Sequence, residues 1–181
     1  MTEMIQVRLS GFGGQGIILA GLLLGQAGVI EGRYVAGSDS YGAQARGSGC
    51  KSEIVFSDGP IDFPHLITPD ILVSMSQGTY NTYSKDIKEQ GIIFYDQGLV
   101  TPERGRNVKQ KGVAATEVSI KKLKNKQGAN IVLLGVVVEV TKIVSPKAIQ
   151  KAITLHIGER FRALNLKALQ TGIELGKKIH V

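Results

Sequence analysis

The segment GFGGQG at 11–16 contains the first residues whose types and spacing could do chemistry. It follows an alternating stretch at 4–9 that predicts a strand and precedes an apolar stretch that predicts a helix. Glycine allows a tight turn and close approach of the backbone to a ligand, and free N–H groups at a helix start attract anions. The segment is therefore a candidate loop for binding an anionic or carbonyl group. Its candidate residues are Gly11, Gly13, Gly14, Gln15 and Gly16.

A second glycine-rich segment, SYGAQARGSG at 40–49, places an arginine among small residues. The guanidinium of Arg46 can bind a carboxylate or phosphate through two parallel hydrogen bonds. An alternative role for this arginine is to anchor the loop to its own domain or to another subunit. The candidate binding residues of this segment are Tyr41, Gly42, Gln44, Arg46 and Gly47.

The other residue types that carry chemistry are few and scattered. Cys50 is the single cysteine, so an intrachain disulfide, a cysteine-ligated zinc site and an iron–sulfur cluster within this chain are excluded. The histidines at 65, 156 and 180 do not have the spacing of metal ligands. We therefore assign no catalytic residue and no metal ligand to this chain.

The pattern of apolar segments predicts the scaffold that must position these loops. The apolar stretch 17–32 predicts a buried helix that ends near Gly32, and Ser145-Pro146 predicts the start of a helical region that runs to a final helix at 159–178. Residues 131–140 fit either a strand or a buried helix. Predicted strands lie at 4–9, 34–37, 50–58, 71–76, 91–96 and 112–118. We expect an α/β fold: a single Rossmann-like domain with a mostly parallel open sheet covered by helices on both faces.

The composition is that of a folded domain, and its glycine residues are unevenly distributed along the chain. Of the 181 residues, 43% are hydrophobic and 20% are charged, and 23 are glycine. That glycine share exceeds the usual value of roughly 7%, and the excess is concentrated in the first 50 residues, which contain both loops. No apolar run is long enough to span a membrane, and the N-terminus lacks the features of a secretory signal. We expect a cytoplasmic protein without a membrane partner.

The chain has a net charge of +7, and its excess of basic residues is in the C-terminal part. Residues 101–181 contain sixteen Lys and Arg against five Asp and Glu. A basic region of this kind could meet nucleic acid, an anionic ligand or an acidic partner, or could simply face solvent. The chain has five Phe, five Tyr and no Trp, and none is interleaved with the lysines. We do not expect nucleic-acid binding, because single-strand binders use exposed aromatic platforms.

The first loop leaves two other interpretations open. One is a stand-alone enzyme that binds NAD or another nucleotide, which requires an acidic residue about 20 positions on, at the end of the second strand. Glu31 has that spacing but lies at the predicted helix end, whereas Asp39 comes late and precedes the second glycine-rich segment. The other interpretation is that these glycines only permit the turn and the close packing of helix against strand.

Several segments together resemble a known family. They are GFGGQGIILAG (11–21), SYGAQARG (40–47), SEIVFSDGPIDFP (52–64), PDILVSMSQ (69–77), GIIFYD (91–96) and NIVLLGVV (130–138). The chain resembles the gamma subunit of the 2-oxoacid:ferredoxin oxidoreductases over nearly its whole length. Two positions depart from the family pattern: Ser48 follows Gly47 where a second glycine is usual, and Gln44 replaces a frequent glutamate. Gln44 and the IDFP segment resemble the 2-oxoglutarate branch more than the pyruvate branch.

The resemblance implies a role within an assembly. The family oxidatively decarboxylates a 2-oxoacid, transfers the acyl group to coenzyme A and passes electrons to ferredoxin. Thiamine diphosphate, Mg²⁺ and [4Fe-4S] clusters would be held by alpha, beta and delta subunits. Residues 1–181 would form one gamma-type domain, inactive alone, whose two glycine-rich segments face the partner subunit and the coenzyme A side of the active-site mouth. Lysines at 121–126 would either face solvent or steer coenzyme A or ferredoxin.

Overall fold

A six-stranded mixed sheet forms the centre of the computed structural model, which describes residues 4–42 and 49–179. The sheet order is β2-β3-β1-β4-β5-β6. β3 is antiparallel to both β1 and β2, whereas β1, β4, β5 and β6 are parallel neighbours. The strands are β1 (Met4–Phe12), β2 (Tyr34–Tyr41), β3 (Gly49–Ser57), β4 (Ile71–Ser74), β5 (Ile92–Asp96) and β6 (Lys109–Val113). Since every strand except β3 shares one direction, the expected mostly parallel sheet is confirmed.

Helices cover both faces of the sheet, but unequally. The larger core packs the sheet against α1 and α4, with α5 packed on α1 and α6 packed on α4, and it includes Val7 and Phe94. On the opposite face, Leu72 and Ile93 pack with Tyr80 of the short helix α2. The helices are α1 (Ile17–Ile30), α2 (Gln77–Tyr83), α3 (Ala115–Leu123), α4 (Ala129–Thr141), α5 (Pro146–His156) and α6 (Glu159–Gly176), with 3₁₀ turns at Ser84–Asp86 and Lys126–Gly128.

The apolar stretch 131–140, which the sequence left open between strand and helix, forms most of α4. Its residues 131–138 are buried on all sides, as expected for a helix that is hydrophobic around its whole circumference. The backbones of α4 and α6 approach closely at Gly135 and Gly172, where a Cβ on Gly172 would overlap the Val132 carbonyl. The two glycines therefore let α6 cover α4 directly.

The helix that follows α4 begins where the sequence predicted. The Ser145 side chain accepts a hydrogen bond of 3.2 Å from the backbone N–H of Ala148, and Pro146 occupies the first helical turn. A hydroxyl acceptor at the N-cap and a proline without an N–H both suit the unpaired start of a helix. The predicted start of the helical region at Ser145-Pro146 is therefore confirmed.

Two predicted element boundaries were wrong. Residues 112–118 form the end of β6 and the start of α3 rather than one strand, because Asp96 on β5 accepts hydrogen bonds from the backbone N–H and hydroxyl of Thr116 and so caps α3 from another element. β2 continues to Tyr41, so 38–41 is strand rather than loop. Its extension depends on antiparallel pairing with β3, in which Tyr41 lies opposite Cys50, and that long-range pairing leaves no local sequence signal.

Candidate functional site

The two glycine-rich segments leave the sheet at the same edge. Cys50 on β3 lies opposite Gly11 on one side and opposite Tyr41 on the other. The backbone N–H of Gly42 then donates a hydrogen bond of 3.0 Å to the Gly49 carbonyl. Tyr41 and Gly42 therefore lie at the same end of the sheet as the first loop, with β3 between them and that loop. The other candidate residues of the second segment, Gln44, Arg46 and Gly47, lie outside the described residues.

The first loop turns sharply from β1 into α1 through two glycines. Gly14 has φ 94° and Gly16 has φ 73°, both in the left-handed region that side chains other than glycine rarely adopt. Gly16 is the N-cap of α1 and supplies no side-chain hydrogen bond to it. The positive end of the helix dipole therefore lies at this loop, where it favours negative charge.

Gln15 holds the loop in place from within. Its Oε1 accepts a hydrogen bond of 2.6 Å from the Phe12 N–H, and its Nε2 donates one of 2.8 Å to the Met75 carbonyl at the end of β4. A Cβ on Gly11 would lie 2.5 Å from Oε1 of Gln15, so glycine at 11 makes room for this side chain. The geometry gives Gln15 a scaffolding role in addition to its predicted place in the site.

Asn130, which the sequence analysis did not select, fixes the start of α1 from the start of α4. Its Nδ2 donates a hydrogen bond of 2.9 Å to the Gly16 carbonyl. Its Oδ1 is buried and has no hydrogen-bond partner among the described residues, and the whole residue is 4% exposed. A buried acceptor left unpaired costs about 1–3 kcal/mol. The only feature of the sequence that could have pointed to Asn130 was an amide side chain at the beginning of the apolar stretch that forms α4.

One cavity lies where the carboxyl ends of the parallel strands meet. We call it the lysine cavity; it has a volume of about 330 Å³ and is lined by residues that include Gly13, Gly14, Met75, Thr116 and Lys126. After β1 the chain first forms β2 and β3 on one side of that strand. It then crosses to the other side of β1 to form β4, so the carboxyl end of β1 is a topological switch point. Open α/β sheets bind ligands in such crevices. Lys126 adds a positive charge to a site already favourable for anions.

A second cavity adjoins the first along the glycine loop. We call it the amide cavity; it has a volume of about 390 Å³ and lies between the loop, the start of α4 and the α5–α6 connection. Gly14, Gln15 and Gln127 line both cavities. Side-chain amides provide most of its polar lining, and within the described part of the chain no Lys, Arg, Asp or Glu lines it. The glycine loop therefore separates a basic compartment from an uncharged one.

The acidic residues considered for NAD do not complete a dinucleotide site. Glu31 accepts a hydrogen bond of 2.8 Å from the backbone N–H of Ser145, so it joins α1 to α5. Asp39 lies on β2, and β3 is inserted between β1 and β2. Two strand spacings, about 10 Å, separate β1 from β2, whereas the dinucleotide arrangement places them side by side. The stand-alone NAD interpretation is not favoured.

Cys50 and the acidic and histidine side chains give no sign of redox or metal chemistry in the ranges 4–42 and 49–179. Cys50 is buried, and burial raises the pKa of its thiol. No group of three His, Cys, Asp or Glu residues in those ranges could hold a metal ion. None of the helices there combines the length and hydrophobicity needed to cross a membrane.

The fold is a Rossmann-like α/β domain with a cavity at its switch point. Residues 6–175 match the family described as pyruvate ferredoxin/flavodoxin oxidoreductase, and the chain belongs to that family. It is similar to the 2-oxoglutarate synthase subunit KorC of Methanocaldococcus jannaschii, with 42% identity over 177 residues that cover 96% of this chain and 95% of that protein. The resemblance recognised in the sequence is confirmed.

Solved structures lead to the same class of protein. The gamma subunit of a keto/oxoacid ferredoxin oxidoreductase from Geobacter sulfurreducens matches with a TM-score of 0.88 and 36% identity, over 97% of this chain and 98% of that one. The 2-oxoglutarate:ferredoxin oxidoreductase from Magnetococcus marinus has the same fold, with a TM-score of 0.89 and 22% identity, over 99% of this chain and 32% of that one. The chain is a subunit of a multi-subunit oxidoreductase complex.

Proposed function

We propose that this chain is the gamma subunit of a 2-oxoglutarate:ferredoxin oxidoreductase. The complex would decarboxylate 2-oxoglutarate oxidatively, transfer the succinyl group to coenzyme A and pass two electrons to ferredoxin. The choice of 2-oxoglutarate is supported by the relative named 2-oxoglutarate synthase subunit KorC, which is 42% identical over 96% of this chain. Gln44 and the IDFP segment at 61–64 agree with that branch.

The redox chemistry of the complex belongs, in this proposal, to partner chains. A single cysteine cannot supply the several thiolates of a [4Fe-4S] cluster, so clusters would be held by the beta or delta subunit. Thiamine diphosphate and Mg²⁺ would lie between the alpha and beta subunits. The chain, as one domain over 1–181, would contribute structure and part of the coenzyme A entrance, and the assembly would work in the cytoplasm.

The observation that carries this role is the lysine cavity at the switch point, which the first glycine-rich segment lines. Its Gly13–Gly14 backbone, Lys126 and the start of α1 offer three sources of positive potential to a phosphate. Coenzyme A is rich in phosphate and is bound in the Magnetococcus marinus enzyme of the same fold. The residues present therefore fit the anionic part of coenzyme A.

Purification of the tagged chain from its native source tests the proposal. We expect alpha, beta and delta subunits to copurify, and the purified complex to reduce ferredoxin with 2-oxoglutarate and coenzyme A. Activity with pyruvate or ketoisovalerate should be much lower. A complex that prefers either of those substrates would contradict the 2-oxoglutarate assignment, and recovery of the chain alone with bound NAD would contradict the subunit role.

A further inference from the structure

The strand β2 forms one edge of the sheet and lacks the features that keep an edge strand unpaired. The other edge strand, β6, has five residues and includes Lys109 and Lys111; a short strand with lysines discourages pairing with another chain. β2 has eight residues, none of which is lysine, arginine or proline, and residues 37–41 are exposed. Among the described strands only β3 pairs with it. The outer side of β2 is therefore open to an added strand.

The helix beside this strand, α1, leaves apolar side chains exposed. Gln26 is the only polar residue among its fourteen. A helix that is apolar on all sides is expected to be buried on all sides. Leu22 is nevertheless 46% exposed and Val29 is 53% exposed. These two residues are seven positions apart, which is about two helical turns, so they lie on the same side of α1. That side of the helix is left to be covered by another chain.

A groove runs between the exposed side of α1 and the edge strand. We call it the α1–β2 groove; it has a volume of about 290 Å³, and its lining includes Leu22, Val29, Val35 and Asp39. Asp39 is the only charged residue that lines it within the described part of the chain, and it has no ion-pair partner there. The groove therefore suits an occupant that is mainly apolar and carries a positive charge.

A second copy of this chain does not meet that requirement. Opposite residues of a sheet point to the same face, so only two antiparallel registers would pair seven of the eight β2 residues with the β2 of another copy. One register places Asp39 opposite Val35 of the other copy, where an apolar side chain would cover an unpaired carboxylate. The other places Asp39 opposite Gly37 and makes the two Asp39 side chains diagonal neighbours, about 7–8 Å apart. Both registers oppose dimer formation through β2.

We propose that the α1–β2 groove binds an extended segment of a partner subunit, which pairs with β2 as an added strand. Main-chain hydrogen bonds would supply affinity, and alternate side chains would supply specificity. The segment places apolar side chains against Leu22 and Val29 and a lysine or arginine beside Asp39. The proposal rests on the membership of this chain in a multi-subunit complex, and it holds whichever 2-oxoacid the complex uses.

Hydrogen exchange of the purified chain and of the assembled complex tests the pairing. We expect the β2 amides to exchange at least about tenfold more slowly in the complex, because an added strand protects the N–H groups on the outer side. Equal exchange rates of β2 in the two samples would overturn the proposal. Ferredoxin reduction with 2-oxoglutarate is measured on the same complex, so the proposed function is judged separately.

Substitutions in the groove test which chemistry the partner supplies. Leu22→Asp and Asp39→Lys should each weaken binding of the chain to its partner subunits about tenfold or more. Leu155→Asp is the matched control, because Leu155 is an exposed apolar residue on α5 outside the groove, and this variant should bind as the parent does. Circular dichroism verifies that each variant folds. If Leu22→Asp does not fold, Asp39→Lys at an exposed strand position decides the outcome.

Two results would contradict a partner strand in the groove. One is normal binding of the partner subunits by every folded groove variant. The other is a purified chain that sediments as a dimer and becomes monomeric on the Asp39→Lys substitution, which would assign the groove to a second copy. In either case a parent complex that still reduces ferredoxin with 2-oxoglutarate leaves the proposed function standing.

Discussion

Asn130 donates a hydrogen bond from Nδ2 to the carbonyl of Gly16, and this 2.9 Å contact joins positions 114 residues apart in the chain. Two side chains therefore fix the glycine loop: Asn130 on α4, and Gln15, which donates a hydrogen bond to the Met75 carbonyl after β4. The left-handed backbone at Gly14 and Gly16 forms the turn itself. A loop fixed in this way keeps its backbone N–H groups in place before any ligand arrives. Such preorganisation lowers the cost of binding.

Gly16→Ala should destabilise the protein more than Gly14→Ala. Both glycines have positive φ, so each alanine stores strain of about 1–2 kcal/mol. A Cβ at 16 also overlaps the Asn130 amide, whereas a Cβ at 14 meets no atom within 4 Å. Gly16→Ala therefore loses the Asn130 hydrogen bond as well, about 0.5–1.5 kcal/mol. Urea unfolding of the two variants measures the difference; equal free energies of unfolding would contradict the proposed packing.

Lys126→Ala in the assembled complex should raise KM for coenzyme A by about threefold to tenfold, because a charged hydrogen bond to phosphate is lost from a solvent-accessible site. The effect should shrink as ionic strength rises. Lys121→Ala is the matched control: Lys121 lies nearby on α3 but is paired with Glu117 and does not line the lysine cavity. Equal effects of the two substitutions would mean that general charge, rather than the cavity, attracts coenzyme A.

Arg46→Ala should lower turnover of the reconstituted complex, or loosen its subunit association, by more than about tenfold, because the bidentate contact that the sequence predicts for this arginine would be lost. Arg46→Lys keeps the charge but not the paired geometry, so it should recover only part of the function. Turnover and analytical gel filtration together distinguish a ligand contact from an interface contact. Normal kinetics in an intact complex would remove Arg46 from the site.

The thiol of Cys50 should react slowly with Ellman's reagent in the folded protein and rapidly in urea. Burial raises its pKa, so less thiolate is present at a given pH than in a free cysteine. Because the unfolded thiol ionises first, the free energy of unfolding should fall as pH rises above the ordinary cysteine pKa and continue to fall up to the folded pKa. Cys50→Ser should flatten that part of the pH profile. Rapid labelling of the native protein would show that the thiol is accessible.

The local parts of this site could be predicted from the sequence, and the long-range parts could not. The strand–glycine–helix order at 4–32 and the Ser145 N-cap depend on neighbouring residues and were predicted correctly. The antiparallel pairing of β3 with β2 and the capping of α3 by Asp96 join distant residues. For the same reason Asn130 was not selected, and Lys126 stood out only as one lysine in a basic run.

The most direct test of the central claim is ferredoxin reduction by the partner subunits, measured with and without this chain. With 2-oxoglutarate and coenzyme A as substrates, we expect little or no reduction in its absence and full activity after the purified chain is added back. The Gly16→Ala chain should restore less activity than Gly14→Ala at a temperature where both are folded. Partner subunits that reduce ferredoxin equally well without this chain would contradict its role in the complex.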